Sequence, residues 1–183
     1  MALLEIVTVD ENDPVLRRHA EPVRKFTPKV RRLVRNMIET MQDAPGVGLA
    51  APQVGVSQRI IVIDAPEEEG EPLSGKPLAL INPEILEFSE EKEEGMEGCL
   101  SVPGCVGEVV RPAAIRVRAR NEWGKPLQFE AGGFVARVIQ HETDHLEGVL
   151  FIDRTEKVYE ITSEDEEGEE AGDLERSEEM VTA

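Results

Sequence analysis

The segment from Gly132 to Gly148 constrains the fold more than any other part of the sequence. Its apolar residues recur at helical spacing, as Phe134, Val135, Val138 and Ile139. The glycine pair at 132–133 precedes this pattern and Gly148 closes it, which predicts a helix between them. His141 and His145 are four residues apart on that helix and therefore lie on one face, a single turn apart. We expect the rest of the chain to pack around this helix.

The two histidines enclose Glu142 in a His-Glu-x-x-His pattern. Imidazoles one turn apart can reach one metal ion, and Glu142 beside them can take a proton from a metal-bound water. The alternative is a chance pair of surface histidines, and the apolar stripe on the same helix argues against it. The pattern therefore predicts a metalloenzyme centre.

A catalytic centre of this type needs a third protein ligand and an open position for water. The longer metalloprotease pattern would place a third histidine at position 151, but that residue is Phe151, which excludes this class of protease. The remaining candidate ligands are His19, Cys99, Cys105 and downstream acids such as Glu160. An acidic ligand would normally come from a further ordered helix, and the acidic end of the chain predicts none. A cysteine thiolate from an earlier loop is the favoured ligand.

The rest of the chain predicts one more helix and several strands. An apolar stripe at helical period runs through Val30, Leu33, Val34, Met37, Ile38 and Met41. Residues 59–64 form an aliphatic, β-branched run, and alternation at 115–120 and 127–129 on either side of a turn at 123–125 predicts a hairpin. We predict an α+β fold in which antiparallel sheets pack around the central helix carrying the His-Glu-x-x-His pattern.

The acidic residues are concentrated at the carboxyl end. Residues 163–183 hold ten of the 38 acids and one of the 20 basic residues, with few apolar side chains. Such a segment cannot bury enough surface to offset its ordering entropy, so we predict a catalytic domain over 1–162 and a disordered acidic tail over 163–183. The tail supplies no residue of the predicted site.

Charge and composition exclude several classes of partner. The formal net charge of −18 argues against direct nucleic-acid binding and against an anionic membrane surface. The amino terminus has Glu5 where the apolar region of a signal peptide would run, and no aliphatic run is long enough to span a membrane. Two cysteines are too few for a disulfide framework. These features predict a cytoplasmic protein.

Three segments together resemble the signature motifs of peptide deformylases, in order and in spacing. They are Gly46-Val-Gly-Leu-Ala-Ala-Pro-Gln53, Glu97-Gly-Cys-Leu-Ser101 and His141-Glu-Thr-Asp-His145. The resemblance covers about residues 3–154. It implies a bacterial enzyme that removes the N-formyl group from the initiator methionine of newly synthesised polypeptides and releases formate. It also implies one divalent metal ion, Fe²⁺ in many members, with Zn²⁺, Ni²⁺ or Co²⁺ as substitutes.

The resemblance assigns roles residue by residue. It makes Cys99, His141 and His145 the metal ligands and Glu142 the general base and then the acid. The oxyanion donors would be the side-chain amide of Gln53 and the backbone N–H of Leu100. The positions that would bind the extended peptide and the methionine side chain are Gly46, Val47, Gly48, Gly98, Phe134 and Val138. Cys105 and His19 match no motif position, so we interpret Cys105 as a small core or loop residue and His19 as a structural or surface residue.

Two other functions stay open at this point. One is a zinc endopeptidase of the His-Glu-x-x-His type, and the other is a non-catalytic relative that kept the fold. The partners implied by the resemblance are N-formyl-methionyl nascent peptides, with transient association with the ribosome, and we expect a monomer. Some family members contact the ribosome through basic residues in a terminal helix, whereas residues 163–183 of this chain are acidic and hold one basic residue.

Overall fold

The computed structural model describes residues 2–9, 14–44, 46–67, 73–161 and 181–182. Its two α-helices are α1 (Pro28–Asp43) and α2 (Gly133–Leu146). The strands are β1 (Gly48–Ala50), β2 (Ile60–Ile63), β3 (Leu78–Phe88), β4 (Lys92–Cys99), β5 (Val102–Pro112), β6 (Ala114–Arg120), β7 (Pro126–Gly132), β8 (Val158–Glu160) and β9 (Val181–Thr182). Short 3₁₀ turns lie at Pro14–Arg17, Ala51–Val54 and Phe151–Asp153.

The first sheet has the order β1-β2-β3-β6-β7, and every neighbouring pair in it is antiparallel. The predicted aliphatic strand is β2, whose four residues are fully buried. The predicted hairpin is β6–β7, with Ile115 and Val117 pointing into the core. The arginines that alternate with them face outward, as expected for a strand with one wet face.

The second sheet has the order β8-β5-β4-β9. Strands β4 and β5 form a long antiparallel hairpin whose turn lies at residues 100–101, directly after Cys99. On the far side of β4, the short strand β9 pairs in parallel, with Val181 opposite Glu97 and Thr182 opposite Gly98.

Helix α2 is the centre of the fold. Its residues Val135, Val138, Ile139 and Leu146 are fully buried, and it contacts strands of both sheets. Helix α1 packs through its predicted stripe on β1 and β2, with Met37 and Met41 fully buried. Thr27 occupies the N-cap position of α1, although its side chain makes no capping hydrogen bond.

The predicted fold class is confirmed, since antiparallel sheets surround a central helix that carries both histidines. Among the strands of the described part of the chain, β4–β9 is the single parallel pair, and an isolated parallel bridge joins Glu21 and Gln58. Of the predicted tail, residues 163–180 and 183 lie outside the described residues, so the boundary after 162 stays a prediction. None of the helices among the described residues is long and apolar enough to cross a membrane.

Candidate metal centre

The structure brings Cys99, His141 and His145 together at the middle of the fold. Cys99 is the last residue of β4, and the two histidines lie on the face of α2 that this strand end covers. The ligand atoms of the three residues lie within 4.8 Å of one another, and all three side chains are buried. The Cys99 Sγ atom is 3.3 Å from His145 Nε2. One thiolate and two imidazoles are a donor set that transition-metal ions accept.

The polar atoms of this cluster fit a cation. His141 Nε2 is buried and has no hydrogen-bond partner among the described residues. Burial raises the pKa of the Cys99 thiol to about 12, and the Glu142 carboxylate acts in the same direction. Burial and then His141 lower the pKa of His145 well below its usual range, which keeps that imidazole in its neutral, metal-binding form. A bound cation would reverse the effect on Cys99, because a coordinating thiol is deprotonated.

Glu97 orients the first histidine. Its Oε2 atom lies 2.9 Å from His141 Nδ1, so the proton of the imidazole sits on Nδ1 and the lone pair of Nε2 faces the cluster. Burial alone would raise the pKa of Glu97, but hydrogen bonds from Arg111 and His141 hold it well below its usual range. Glu97 is therefore a charged carboxylate in a fully buried position.

Two arginines make this buried charge tolerable. Arg111 binds Glu97 through two hydrogen bonds of 2.5 and 2.8 Å, and its third nitrogen donates to Asp144 at 2.9 Å. Arg137 donates to Glu97 at 2.9 Å and to the carbonyl oxygen of Val109 at 2.9 Å. Buried ionic groups are stable only when their hydrogen-bonding capacity is satisfied in this way. The network links β4 and β5 to the metal-binding face of α2.

Glu142 is the second buried carboxylate, and its environment is opposite to that of Glu97. Neither of its oxygens has a hydrogen-bond partner among the described residues. Burial and then the negative charge of Glu97 raise the pKa of Glu142 well above its usual range. Two carboxyl groups whose surroundings separate their pKa values in this way are typical of acid–base chemistry.

Strand β1 leaves room for the Glu142 side chain only because Gly48 lacks one. A Cβ atom at Gly48 would lie 2.9 Å from both Cδ and Cγ of Glu142, closer than real Cβ contacts. Gly46 is tight for a different reason, since a Cβ atom there would lie 3.0 Å from Cδ1 of Leu100. These glycines thus make room for neighbouring side chains. The family resemblance assigned them only to the binding of an extended peptide.

The side-chain amide of Gln53 points its nitrogen at the cluster. Its Oε1 atom accepts a hydrogen bond of 2.7 Å from the backbone N–H of Ala50, which fixes the amide. Its Nε2 atom lies 3.6 Å from Cys99 Sγ, and the residue is fully buried. Leu100, the other predicted donor, lies in the β4–β5 turn directly after Cys99. Both positions adjoin the predicted reaction centre.

The residues predicted to bind the methionine side chain also converge. Val138 is fully buried in the core cluster beneath the first sheet, and the half-buried Val47 and Phe134 pack against the same cluster. Gly98 is the penultimate residue of β4, next to Cys99. Their roles in substrate binding stay predictions.

The other ligand candidates lie elsewhere. His19 is exposed and its Nδ1 atom contacts Glu147 at 2.8 Å. Cys105 lies on β5 opposite Glu160 of β8 and packs against the hydrophobic cluster that includes Cys99, but it does not belong to the trio of converging ligand atoms. Phe151 stacks against His141 with ring centroids 6.3 Å apart, so the position that would carry a third histidine is an apolar wall of the site.

The sequence interpretation missed the residues that support the histidines. The sequence motifs include Glu97 and Asp144 without giving them a role, and no motif points to Arg111 or Arg137. A usable signal was present, because Arg137 lies four residues before His141 on the same apolar helix face. A charged residue on a buried face needs a partner, and Glu97 beside Cys99 was the nearest acid in the motif.

Comparisons with known proteins agree with this geometry. The family model described as polypeptide deformylase matches residues 3–160. A peptide deformylase of Desulforudis audaxviator is 47% identical over 159 residues, which cover 87% of this chain and 97% of that protein.

Two solved structures are similar over most of the chain. A peptide deformylase of Thermotoga maritima superposes with a TM-score of 0.77 at 46% identity, covering 84% of this chain and 98% of that one. A peptide deformylase of Ehrlichia chaffeensis in complex with actinonin gives a TM-score of 0.80 at 46% identity, covering 86% and 91%.

Proposed function

Because the chain belongs to the polypeptide deformylase family, we propose that Cys99, His141 and His145 hold its divalent metal ion. The protein is a deformylase hydrolase that removes the formyl group from N-terminal formyl-methionine peptides. The observation that carries the site assignment is the buried cysteine and histidine trio beside a buried carboxylate without a partner among the described residues. The mixed sulfur and nitrogen donor set suits Fe²⁺, Co²⁺, Ni²⁺ and Zn²⁺, and we propose Fe²⁺ as the native ion.

We assign the proton transfers to Glu142. A divalent ion held by the trio would acidify a water molecule and polarise the formyl carbonyl. Glu142 takes a proton from the attacking water as the bond from oxygen to the formyl carbon forms. It then gives that proton to the amine nitrogen as the carbon–nitrogen bond breaks, so formate and a free amino terminus result. The raised pKa of Glu142 suits a group that both accepts and returns a proton.

Gln53 and Leu100 would stabilise the negative charge that develops on the formyl oxygen. The hydrogen bond from Ala50 holds the Gln53 amide before substrate arrives, so its nitrogen needs no reorientation during the reaction. Fixed donors in a site that excludes water are worth most to a transition state, because they require no rearrangement at the moment of reaction.

We propose that the peptide binds in an extended conformation beside Gly46, Gly48 and Gly98, with main-chain hydrogen bonds. Such bonds are made equally to any sequence, which suits an enzyme that acts on many nascent chains. The methionine side chain would enter the apolar region formed by Val47, Phe134 and Val138.

The alternative functions fit less well. A zinc endopeptidase of the His-Glu-x-x-His type has no need of a cysteine ligand with a neighbouring amide, whereas Cys99 and Gln53 are held in contact here. A non-catalytic relative would be expected to lack a ligand or the acid–base residue, and Glu142 is present with the full trio. The comparisons favour the deformylase.

The cellular setting is also part of the proposal. We propose a cytoplasmic monomer that meets nascent chains in transient association with the ribosome. Its formal net charge of −18 argues against direct contact with ribosomal RNA, so the nascent peptide itself would provide most of the attraction.

The test is formate release from an N-formyl-methionyl tripeptide by protein purified without oxygen. We expect release that a chelator abolishes and that added Fe²⁺ restores. The matched substrate is the N-acetyl tripeptide, which should be hydrolysed far more slowly because its extra methyl group crowds the formyl position. Absence of formate from the metal-loaded protein would overturn the proposed function.

A further inference from the structure

The described end of the acidic tail lies beside the metal centre. Strand β9 pairs in parallel with β4 at Glu97 and Gly98, the two residues directly before Cys99. It also contacts α2, the helix that carries both histidines. Without β9, this stretch of β4 would be an open sheet edge next to the reaction centre.

An open edge offers unpaired N–H and C=O groups to any extended segment. We propose that the end of this chain, Val181–Thr182, occupies the strand position that an extended peptide substrate takes along β4, and so acts as a built-in competitor. The inference rests on the proposed function, in which peptide binds beside Gly98. Main-chain pairing does not distinguish sequences, so a segment of the protein itself can compete with substrate.

The tail cannot itself react. Residues 1–180 precede Val181–Thr182, so this segment presents no amino terminus, whereas the reaction needs a formylated one. Occupation of the edge therefore blocks the site without consuming the segment. Among the described residues, two pairs join β9 to β4, so a longer peptide that makes more hydrogen bonds can displace this segment.

The length of chain between the strands allows this arrangement within one molecule. Strand β8 ends at Glu160 on one edge of the sheet and β9 begins at Val181 on the other, which leaves twenty residues between them. Crossing from β8 to β9 spans three strand spacings, about 14 Å. Twenty residues can span up to roughly 66 Å, which is more than the distance from β8 to β9, so the two strands can belong to one molecule.

The first test compares the full chain with a protein that ends at Thr162, both loaded with metal. We expect KM for a formyl-Met tripeptide to fall by about two- to fivefold on truncation, because a tethered segment has a local concentration on the order of millimolar. The catalytic constant should stay the same. A synthetic peptide of residues 176–183 should raise KM of the truncated protein competitively. An unchanged KM, or a loss of the catalytic constant, would overturn the proposal.

A second variant separates strand pairing from charge and length. Val181→Pro with Thr182→Pro removes the N–H donors of β9 and leaves every charge in place. It should behave like the truncated protein, whereas Ala171→Pro with Ser177→Pro, in the same tail but outside β9, should keep the KM of the full chain. Equal KM values for the two variants would contradict the pairing.

Hydrogen exchange gives a readout that does not depend on turnover. Neighbouring residues of a strand direct their N–H groups to opposite edges, so one of Glu97 and Gly98 has its amide toward β9 and the other has it toward β5. The amide that faces β9 should exchange more slowly in the full chain than in the truncated protein, and equal exchange rates at that amide would contradict the proposal. A KM that rises with enzyme concentration would show that the tail of a second copy fills the edge, which overturns the intramolecular form. Failure of the full chain and the truncated protein alike to release formate would instead contradict the proposed function.

Discussion

Two regions that hold arginine–carboxylate pairs, one buried and one exposed, use the same residue types to different effect. Beneath the metal centre, Arg111 joins Glu97 and Asp144, with side chains 6%, 0% and 12% exposed. On the outer face of the first sheet, Arg118 pairs with Glu84, with side chains 58% and 57% exposed. Both arginines lie on antiparallel strands and both make short contacts to acids.

Burial makes the difference between the two regions. An exposed pair gains little, since water solvates each partner nearly as well and salt screens the attraction. Water cannot solvate the partners of a buried pair, so removal of one partner leaves an uncompensated charge in the interior. Glu97 of the buried network also contacts His141, so the network helps to orient a predicted metal ligand. Four substitutions would break or sharpen this contrast.

The largest effect is expected from Arg111→Met. It leaves Asp144 and Glu97 without their shared cation in the interior, and breaking one partner of such a network costs about 3–5 kcal/mol of unfolding free energy. Urea unfolding followed by circular dichroism measures this. Arg137 also donates to Glu97, and Arg154 also donates to Asp144. A loss below about 1 kcal/mol would mean that these two arginines compensate fully, and the contrast between the regions would fail.

Glu142→Gln tests a buried acid that has no partner among the described residues. We expect a loss of turnover of at least roughly 100-fold, the lower end for general acid–base catalysis. Stability should be unchanged or higher, because the substitution removes an uncompensated acid from the interior. Metal content should stay stoichiometric, and its loss would make Glu142 a structural residue or a ligand.

Glu97→Gln keeps the shape of the buried side chain and removes its charge. The hydrogen bond to His141 weakens, and changes to such a partner of a metal ligand typically lower metal affinity by about 10- to 100-fold. Competition with a chromogenic chelator measures the affinity directly. Glu130→Gln, on the exposed pair with Arg116, is the matched control and should leave affinity unchanged.

The smallest effect is expected from Arg118→Met, the same substitution as at Arg111 but in the exposed region. We expect Tm to change by less than about 4 °C, the range that corresponds to an exposed ion pair in a chain of this length. Differential scanning calorimetry at low and high salt provides the measurement. A large, salt-sensitive loss would show that the surface pairs act together as a network.

The two regions also differ in how far the sequence predicts them. The alternation of Arg116, Arg118 and Arg120 with apolar residues predicts a strand with a wet face, because strand periodicity is a local property. The pairing of Glu97 with Arg111 and Arg137 depends on where two sheets and a helix meet, which no local pattern encodes. The same holds for β9, since edge pairing between residues more than eighty positions apart leaves no periodic trace.

The candidate site likewise contains residues that local spacing predicts and residues that depend on tertiary contacts. His141, Glu142 and His145 follow from helical spacing alone, and the structure places them on one buried face of α2. The residues alone favour a cysteine as the third ligand over a histidine or an acid, and the family resemblance assigns Cys99. The fixed orientation of Gln53 could not be read from the sequence, because it depends on a hydrogen bond to the backbone of Ala50.

The close approach of Gly48 to Glu142 has a consequence for inhibitor resistance. Any side chain at position 48 would displace the carboxylate or push β1 away from α2. Because Glu142 is the proposed proton carrier, a substitution of Gly48 that weakens the binding of an active-site inhibitor should also abolish the activity of the enzyme. An inhibitor that packs against the Cα atom of Gly48 would therefore contact a position that cannot be substituted without loss of activity.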